Sequence, residues 1–257
     1  NQTDRRGMER LRREIERARN CFMSWFPPQV RINEVSVVRI FNDRDEYTRY
    51  VGGEMEWTGG VWQPARRELV ISPLSWDASE ERQREAIAKI AFHEGFHQYL
   101  HYASGELHFP LWFNEGCAEF FEGIEFRGAT GLVGLPDPLK RRLARLFAFK
   151  KKYDLDELIR MNREQFYNRE TRDRNYLLAN ALVYYLLKGA PANGQKEYAG
   201  IMSRYYLTFS KTRNPETAQK AAFGTVDLKR LSADLTAFWN DERQIRRSIR
   251  YNTPMKR

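Results

Sequence analysis

All four histidines of this chain stand within sixteen residues, as His93, His97, His101 and His108, and the first two fall in the pattern His93-Glu94-Gly95-Phe96-His97. On an α-helix, residues four apart lie one above the other, so the two imidazoles of an H-E-x-x-H segment can reach one metal ion from a single face. Glu94 then stands beside that ion. A carboxylate there can take a proton from a water whose pKa zinc has lowered to roughly 7, which makes a zinc hydrolase the leading reading. Catalytic zinc sites normally use three protein ligands and keep a fourth position for water, so a third ligand is expected elsewhere in the chain.

Downstream, the run from Pro110 to Glu122 is a second helical pattern with acids at Glu115, Glu119 and Glu122, spaced by four and three so that they share a face. Together the two motifs resemble the gluzincins, the thermolysin-like and zinc aminopeptidase-like metallopeptidases, in which an Asn-Glu-Gly or Asn-Glu-Ala segment follows H-E-x-x-H and supplies the third ligand. Here Asn114-Glu115-Gly116 matches, and Glu115 is the corresponding residue. Seventeen residues separate His97 from Glu115, a loop slightly shorter than in well-known members. The pattern W-x-x-E-G-x-A-x-x-x-E, present as Trp112 to Glu122, is similar to the bacterial peptidase-MA-like families. The resemblance covers about residues 55 to 190 and is specific at the two motifs.

The resemblance implies an α+β fold: a thermolysin-like catalytic core with a small mixed sheet, a long zinc helix and a mainly helical carboxy-terminal part. It implies one zinc ion on His93, His97 and Glu115, with Glu94 as the catalytic base acting on peptide or protein substrates, and it favours an extracytoplasmic location, periplasmic or secreted. A metal-bound histidine usually donates its other N–H to a carboxylate. Glu119 matches the acid with this role in thermolysin-like enzymes and Glu122 the one in zinc aminopeptidases; Glu119 is preferred. Tyr176, about sixty residues after Glu115, resembles the aminopeptidase tyrosine that donates to the tetrahedral oxyanion. A core helix with an amphipathic tyrosine at its edge accounts for the same residue without chemistry. Gly53-Glu54-Met55-Glu56-Trp57 is only superficially similar to the G-x-M-E-N exopeptidase motif, since it lacks the Asn, and gives aminopeptidase activity little support.

The remaining histidines read as structural. A metzincin needs glycine and histidine where this chain has Leu100 and Ala103, so that class is excluded. His101 reads as a polar end of the zinc helix and His108 as a loop residue that can line the cleft.

A chain of 257 residues buries a large core, and its longest apolar run, Tyr176 to Leu187, is too short for a membrane span and is interrupted by Asn180. Two cysteines give no disulfide framework: Cys21 and Cys117 can pair only if the amino-terminal segment folds over the active-site helix, and Cys117 reads as a small buried hydrophobe. The net charge of +9 collects at the ends, with Arg5, Arg6, Arg10, Arg12, Arg13, Arg17 and Arg19 at one and Arg243, Arg246, Arg247, Arg250, Lys256 and Arg257 at the other. Asp4, Glu9, Glu14 and Glu16 intersperse the first run as on a solvated helix, which argues against a nucleic-acid partner. The first residue is Asn1, without an initiator methionine, as expected of a trimmed or mature form, and a signal peptide removed upstream is compatible with it.

Periodicity predicts a helix over 4–20, a strand over 35–41, a helix over 43–51, and a hairpin from Val61–Pro64 and Glu68–Ser72. The zinc helix is expected over 79–104, capped by Asp77 or Ser79 and ended by Gly105. Residues 128–138 read as loop, followed by helices over 139–150, 155–160, 172–188, 195–209, 215–222 and 228–240. Three parts are expected: an amino-terminal helical arm, 1–30; an α+β zinc core, 31–128; and a helical subdomain completing the cleft, 129–257. The stretch from Gly59 to Gln63 is the expected sheet edge on which an extended peptide docks. Two other functions fit the same residues: a metal-binding or recognition module without catalysis, and a basic envelope-binding or nucleic-acid-binding protein.

Overall fold

The computed structural model describes residues 5–35, 37–72, 80–128, 130–148 and 153–252. It is α+β and mostly helical. The elements run α1 (Arg5–Trp25), β1 (Val37–Ile40), α2 (Arg44–Val51), β2 (Gly60–Gln63), β3 (Glu68–Ile71), α3 (Glu80–Ala103), α4 (Leu111–Phe121), β4 (Ile124–Arg127), β5 (Thr130–Val133) and α5 (Asp137–Ala148). Then follow α6 (Leu155–Arg160), α7 (Arg163–Phe166), α8 (Arg172–Tyr184), α9 (Ala190–Ala192), α10 (Ile201–Thr212), α11 (Pro215–Phe223), α12 (Leu228–Trp239) and α13 (Glu242–Arg250).

Strand β3 lies between the other two strands of its sheet, parallel to β1 and antiparallel to β2. Its sequence, Glu-Leu-Val-Ile, is buried throughout, as expected of a strand covered on both faces. That leaves β2 as an edge, and the edge lies against α3. Gly60 permits the approach: a Cβ there would stand 2.5 Å from Ile90 Cγ2 and 3.1 Å from Glu94 Cγ. Helix α3 shows no single apolar stripe because α1, β2, β3 and α4 all pack on it.

Helix α4 packs on α8, and Gly116 sets their spacing. A Cβ at that position would meet the Ala179 carbonyl oxygen and Val183 Cγ2, both at 2.7 Å. One apolar cluster runs through all three sequence segments, bringing Phe22, Trp25 and Phe26 of the arm together with Phe96, Phe113 and Phe121 and with Leu182 and Tyr206. Lys188 lies in the π-turn Tyr185–Gly189 that joins α8 to α9, is wholly buried, and donates to the carbonyls of Val133 and Ile249.

Several boundaries differ from the sequence reading. Helix α1 extends to Trp25 because Cys21, Phe22 and Trp25 continue its buried face. Residues 128–138, read as loop, instead complete a hairpin: β4 and β5 pair antiparallel around Gly128, whose φ of +58° makes the turn, and α5 begins at Asp137. Helix α10 begins at Ile201, after a 3-10 turn at Lys196–Tyr198. The expected strand over 35–41 is found at Val37–Ile40, with Ser36 outside the described residues. The caps Asp77 and Ser79, the end of the helix expected over 139–150, and the terminal Lys256 and Arg257 also lie outside them.

Cys21 and Cys117 are both buried free thiols, with burial raising the Cys21 thiol to about 12. Among the described residues, no helix is long and apolar enough to cross a membrane. Along α1 the interspersed acids pair with arginines, Arg10 with Glu14 and Arg12 with Glu16, as on a solvated face.

Gly116→Ala tests the spacing of α4 and α8. Alanine gains about 1 kcal/mol over glycine in a helix interior, but overpacking costs about 1–3 kcal/mol or more. The clash here is with a backbone carbonyl that cannot rotate away. A lower melting temperature is therefore expected in thermal unfolding, and one equal to or above the parent's would contradict the close packing.

Candidate metal centre

Helix α3 carries His93 and His97 on one face, and α4 brings Glu115 against them. Both imidazole Nε2 atoms lie 3.4 Å from Glu115 Oε2, and the rings stand edge to face with centroids 4.8 Å apart. Glu115 is 4 % exposed, and its Oε2 is buried without a hydrogen-bond partner. Two imidazole nitrogens and one carboxylate oxygen thus converge, forming a group that could hold a metal ion.

The outer faces of both rings are held. His93 Nδ1 pairs with Glu122 Oε1 at 2.7 Å, and His97 Nδ1 with Asn114 Oδ1 at 2.9 Å. Because a carboxylate oxygen and an amide oxygen accept, Nδ1–H donates in each ring and Nε2 turns toward Glu115. The preference for Glu119 is corrected here: Glu122, in the turn that ends α4, orients His93. Glu119 lies beside this pair, its carboxylate within 4.8 Å of a ligand atom of His93 and of Glu122, and hydrogen-bonds to neither histidine.

Electrostatics favour a cation at the convergence point. Burial opposes a charged His93 ring, but Glu115 and Glu122 outweigh it and hold the pKa well above the ordinary histidine range. His97 is raised in the same way, burial being outweighed by Glu115. Glu115 is held well below the usual carboxylate range, since His97 and His93 overcome its burial. Carboxylates that favour a proton on these rings favour a bound cation for the same reason. Burial raises Glu94, partly offset by His93 and His97. Burial and the neighbouring Glu122 raise Glu119 to about 7.

Glu94 is buried where α3 meets the sheet edge, and its Oε2 accepts the Trp62 N–H of β2 at 2.8 Å. The stretch expected as a docking edge is thus an edge strand directly beside Glu94, with one of its outward N–H groups engaged by that carboxylate. A cleft of about 1010 Å³ opens alongside, lined by Trp62, His97, Leu107, Phe109, Tyr167 and Tyr176 among others. A smaller space of about 250 Å³, bordered by Glu119, Arg142 and Asp173, adjoins it across Trp57, Gly60, His93 and Glu94.

Tyr176 is the fifth residue of α8, and it lines both spaces. His101 and His108 face the larger one with ring centroids 6.3 Å apart, outside the triad. The turn at Gly53–Met55 borders the same cleft through Met55. Sequence reasoning missed Tyr167, whose hydroxyl donates to Glu115 Oε1 at 2.5 Å, and Trp57, which lines the cleft and stacks on the Arg172 guanidinium at 4.1 Å. It also named Asn114 only as part of a motif, without its bond to His97.

Residues 85–204, which contain the triad, Glu94 and both tyrosines, match a family described as a protein of unknown function, DUF1570. No curated protein matches the chain.

Glu122→Ala removes the acceptor of His93 Nδ1 and is expected to weaken metal binding about 10- to 100-fold, the usual cost of losing such a partner. Glu119→Ala should leave it within about threefold of the parent. Chelator-competition titrations of the two variants decide between the acids, and the reverse order would restore Glu119.

Proposed function

We propose that this protein is a zinc-dependent peptidase of the gluzincin type. The supporting observation is the triangle formed by His93 Nε2, His97 Nε2 and the unpartnered Glu115 Oε2, with its 3.4 Å nitrogen–oxygen edges. With metal–ligand distances of about 2.0–2.1 Å, ligands of a tetrahedral zinc stand about 3.3 Å apart. Those of an octahedral ion with the same two-histidine, one-carboxylate set stand about 3.0 Å apart. The observed edges are of the size that a three-ligand metal site requires.

When bound, zinc would acidify a water molecule and polarise a carbonyl. Glu94 supplies the proton transfers. It takes a proton from the attacking water as the oxygen adds to the scissile carbonyl carbon, and it delivers that proton to the amine nitrogen as the C–N bond breaks. Its burial excludes competing water, and its contact with Trp62 places it at the edge where an extended peptide can pair. Tyr176, which lines the same cleft, donates to the oxyanion. The resemblance to the gluzincin and peptidase-MA-like families favours an extracytoplasmic setting.

Purified protein is expected to hold about one zinc per chain, and Glu115→Ala to lower that occupancy. Glu94→Gln should keep the metal and reduce turnover of a broad peptide library about 10²-fold or more. Zinc uptake without turnover in the parent would instead identify a metal-binding module, and equal loss of zinc and activity in Glu94→Gln would make Glu94 a ligand.

A further inference from the structure

The two carboxylate oxygens of Glu115 have different surroundings. Oε2 faces the histidine nitrogens, whereas Oε1 accepts the short bond from Tyr167. Tyr167 follows α7 directly, and its ring is wedged between Phe166, Tyr176 and Trp57 with the Arg163 guanidinium 5.0 Å from its centroid. The Tyr176 ring lies beside it, with centroids 6.1 Å apart. A hydroxyl so confined has few alternatives to Glu115.

A carboxylate with both oxygens free can swing to grip an ion through both, taking a position that a catalytic zinc site reserves for water. One whose second oxygen is held by a charge-assisted O–H···O bond presents only the first. We propose that Tyr167 is the positioning residue of this site: its hydroxyl holds Glu115 as a one-oxygen ligand and so preserves the place where water binds. This rests on the reading of His93, His97 and Glu115 as a zinc site. Tyr167 acts through Glu115 and touches no reacting atom.

The test compares the parent, Tyr167→Phe and Tyr176→Phe as full-length chains stripped of metal. Each is titrated with zinc against a chelator, loaded with cobalt for its visible spectrum, and melted without metal. Tyr167→Phe keeps the ring stack, so its metal-free melting temperature should stay close to the parent's. Its zinc affinity is expected to fall about 10- to 100-fold, with a changed cobalt spectrum as Oε1 becomes free to coordinate. Tyr176→Phe leaves the Tyr167–Glu115 bond in place and should match the parent in zinc affinity and cobalt spectrum. Zinc affinity of Tyr167→Phe within about threefold of the parent overturns the proposal. So does a weaker affinity with a cobalt spectrum superimposable on the parent's, or an equal loss in Tyr176→Phe, since either result assigns the tyrosines to packing alone. A parent that takes up no zinc removes the underlying metal site as well, which separates that failure from the failure of Tyr167.

Discussion

The arrangement depends on a buried carboxylate. Taking Glu115 out of water costs several kcal/mol unless charges and hydrogen bonds replace its hydration, and at 4 % exposure little hydration is left. The replacement comes from one helix and a turn: His93 and His97 on α3 face one oxygen, and Tyr167 after α7 bonds the other. The histidines are fixed in turn by Asn114 and Glu122, which lie on either side of Glu115 in the same short segment. The segment that supplies the carboxylate therefore also orients the rings it meets.

Two glycines let the surrounding elements come close enough for this. Gly116, immediately after the carboxylate, allows α4 to lie against α8, the helix that carries Tyr176. Gly60 allows the edge strand β2 to reach Glu94 on α3. Asn114-Glu115-Gly116 thus combines three neighbouring duties: holding His97, meeting both histidines, and admitting a helix. Each uses a different property of the residue, namely an amide acceptor, a charge and the lack of a side chain.

The parts of the site that were legible in the sequence are those set by helical spacing. His93 and His97 are four residues apart on one helix, and the long helix, the β2–β3 hairpin and most carboxy-terminal helices follow from local periodicity. The choice between Glu119 and Glu122 depends instead on where α4 ends and how it crosses α3, and the likeness to thermolysin-like enzymes favoured Glu119 where Glu122 meets His93. Tyr167 left no local signal, because it meets Glu115 only through the fold, from a turn fifty-two positions away. The β4–β5 hairpin was missed because its turn and strands contain Gly128 and Gly131, which read as loop until tertiary packing supplies the missing order.

X-ray absorption at the zinc edge on the metal-loaded protein tests the central assignment most directly, by reporting the atoms bound to the ion and their distances. Two imidazole nitrogens at about 2.0–2.1 Å and a single carboxylate oxygen at about 2.0–2.2 Å, with water completing a four-coordinate site, are expected. In Glu115→Ala the carboxylate contribution should disappear while both imidazoles remain. A sphere made of oxygens, one with a single imidazole, or a spectrum unchanged by Glu115→Ala would contradict a centre built from His93, His97 and Glu115.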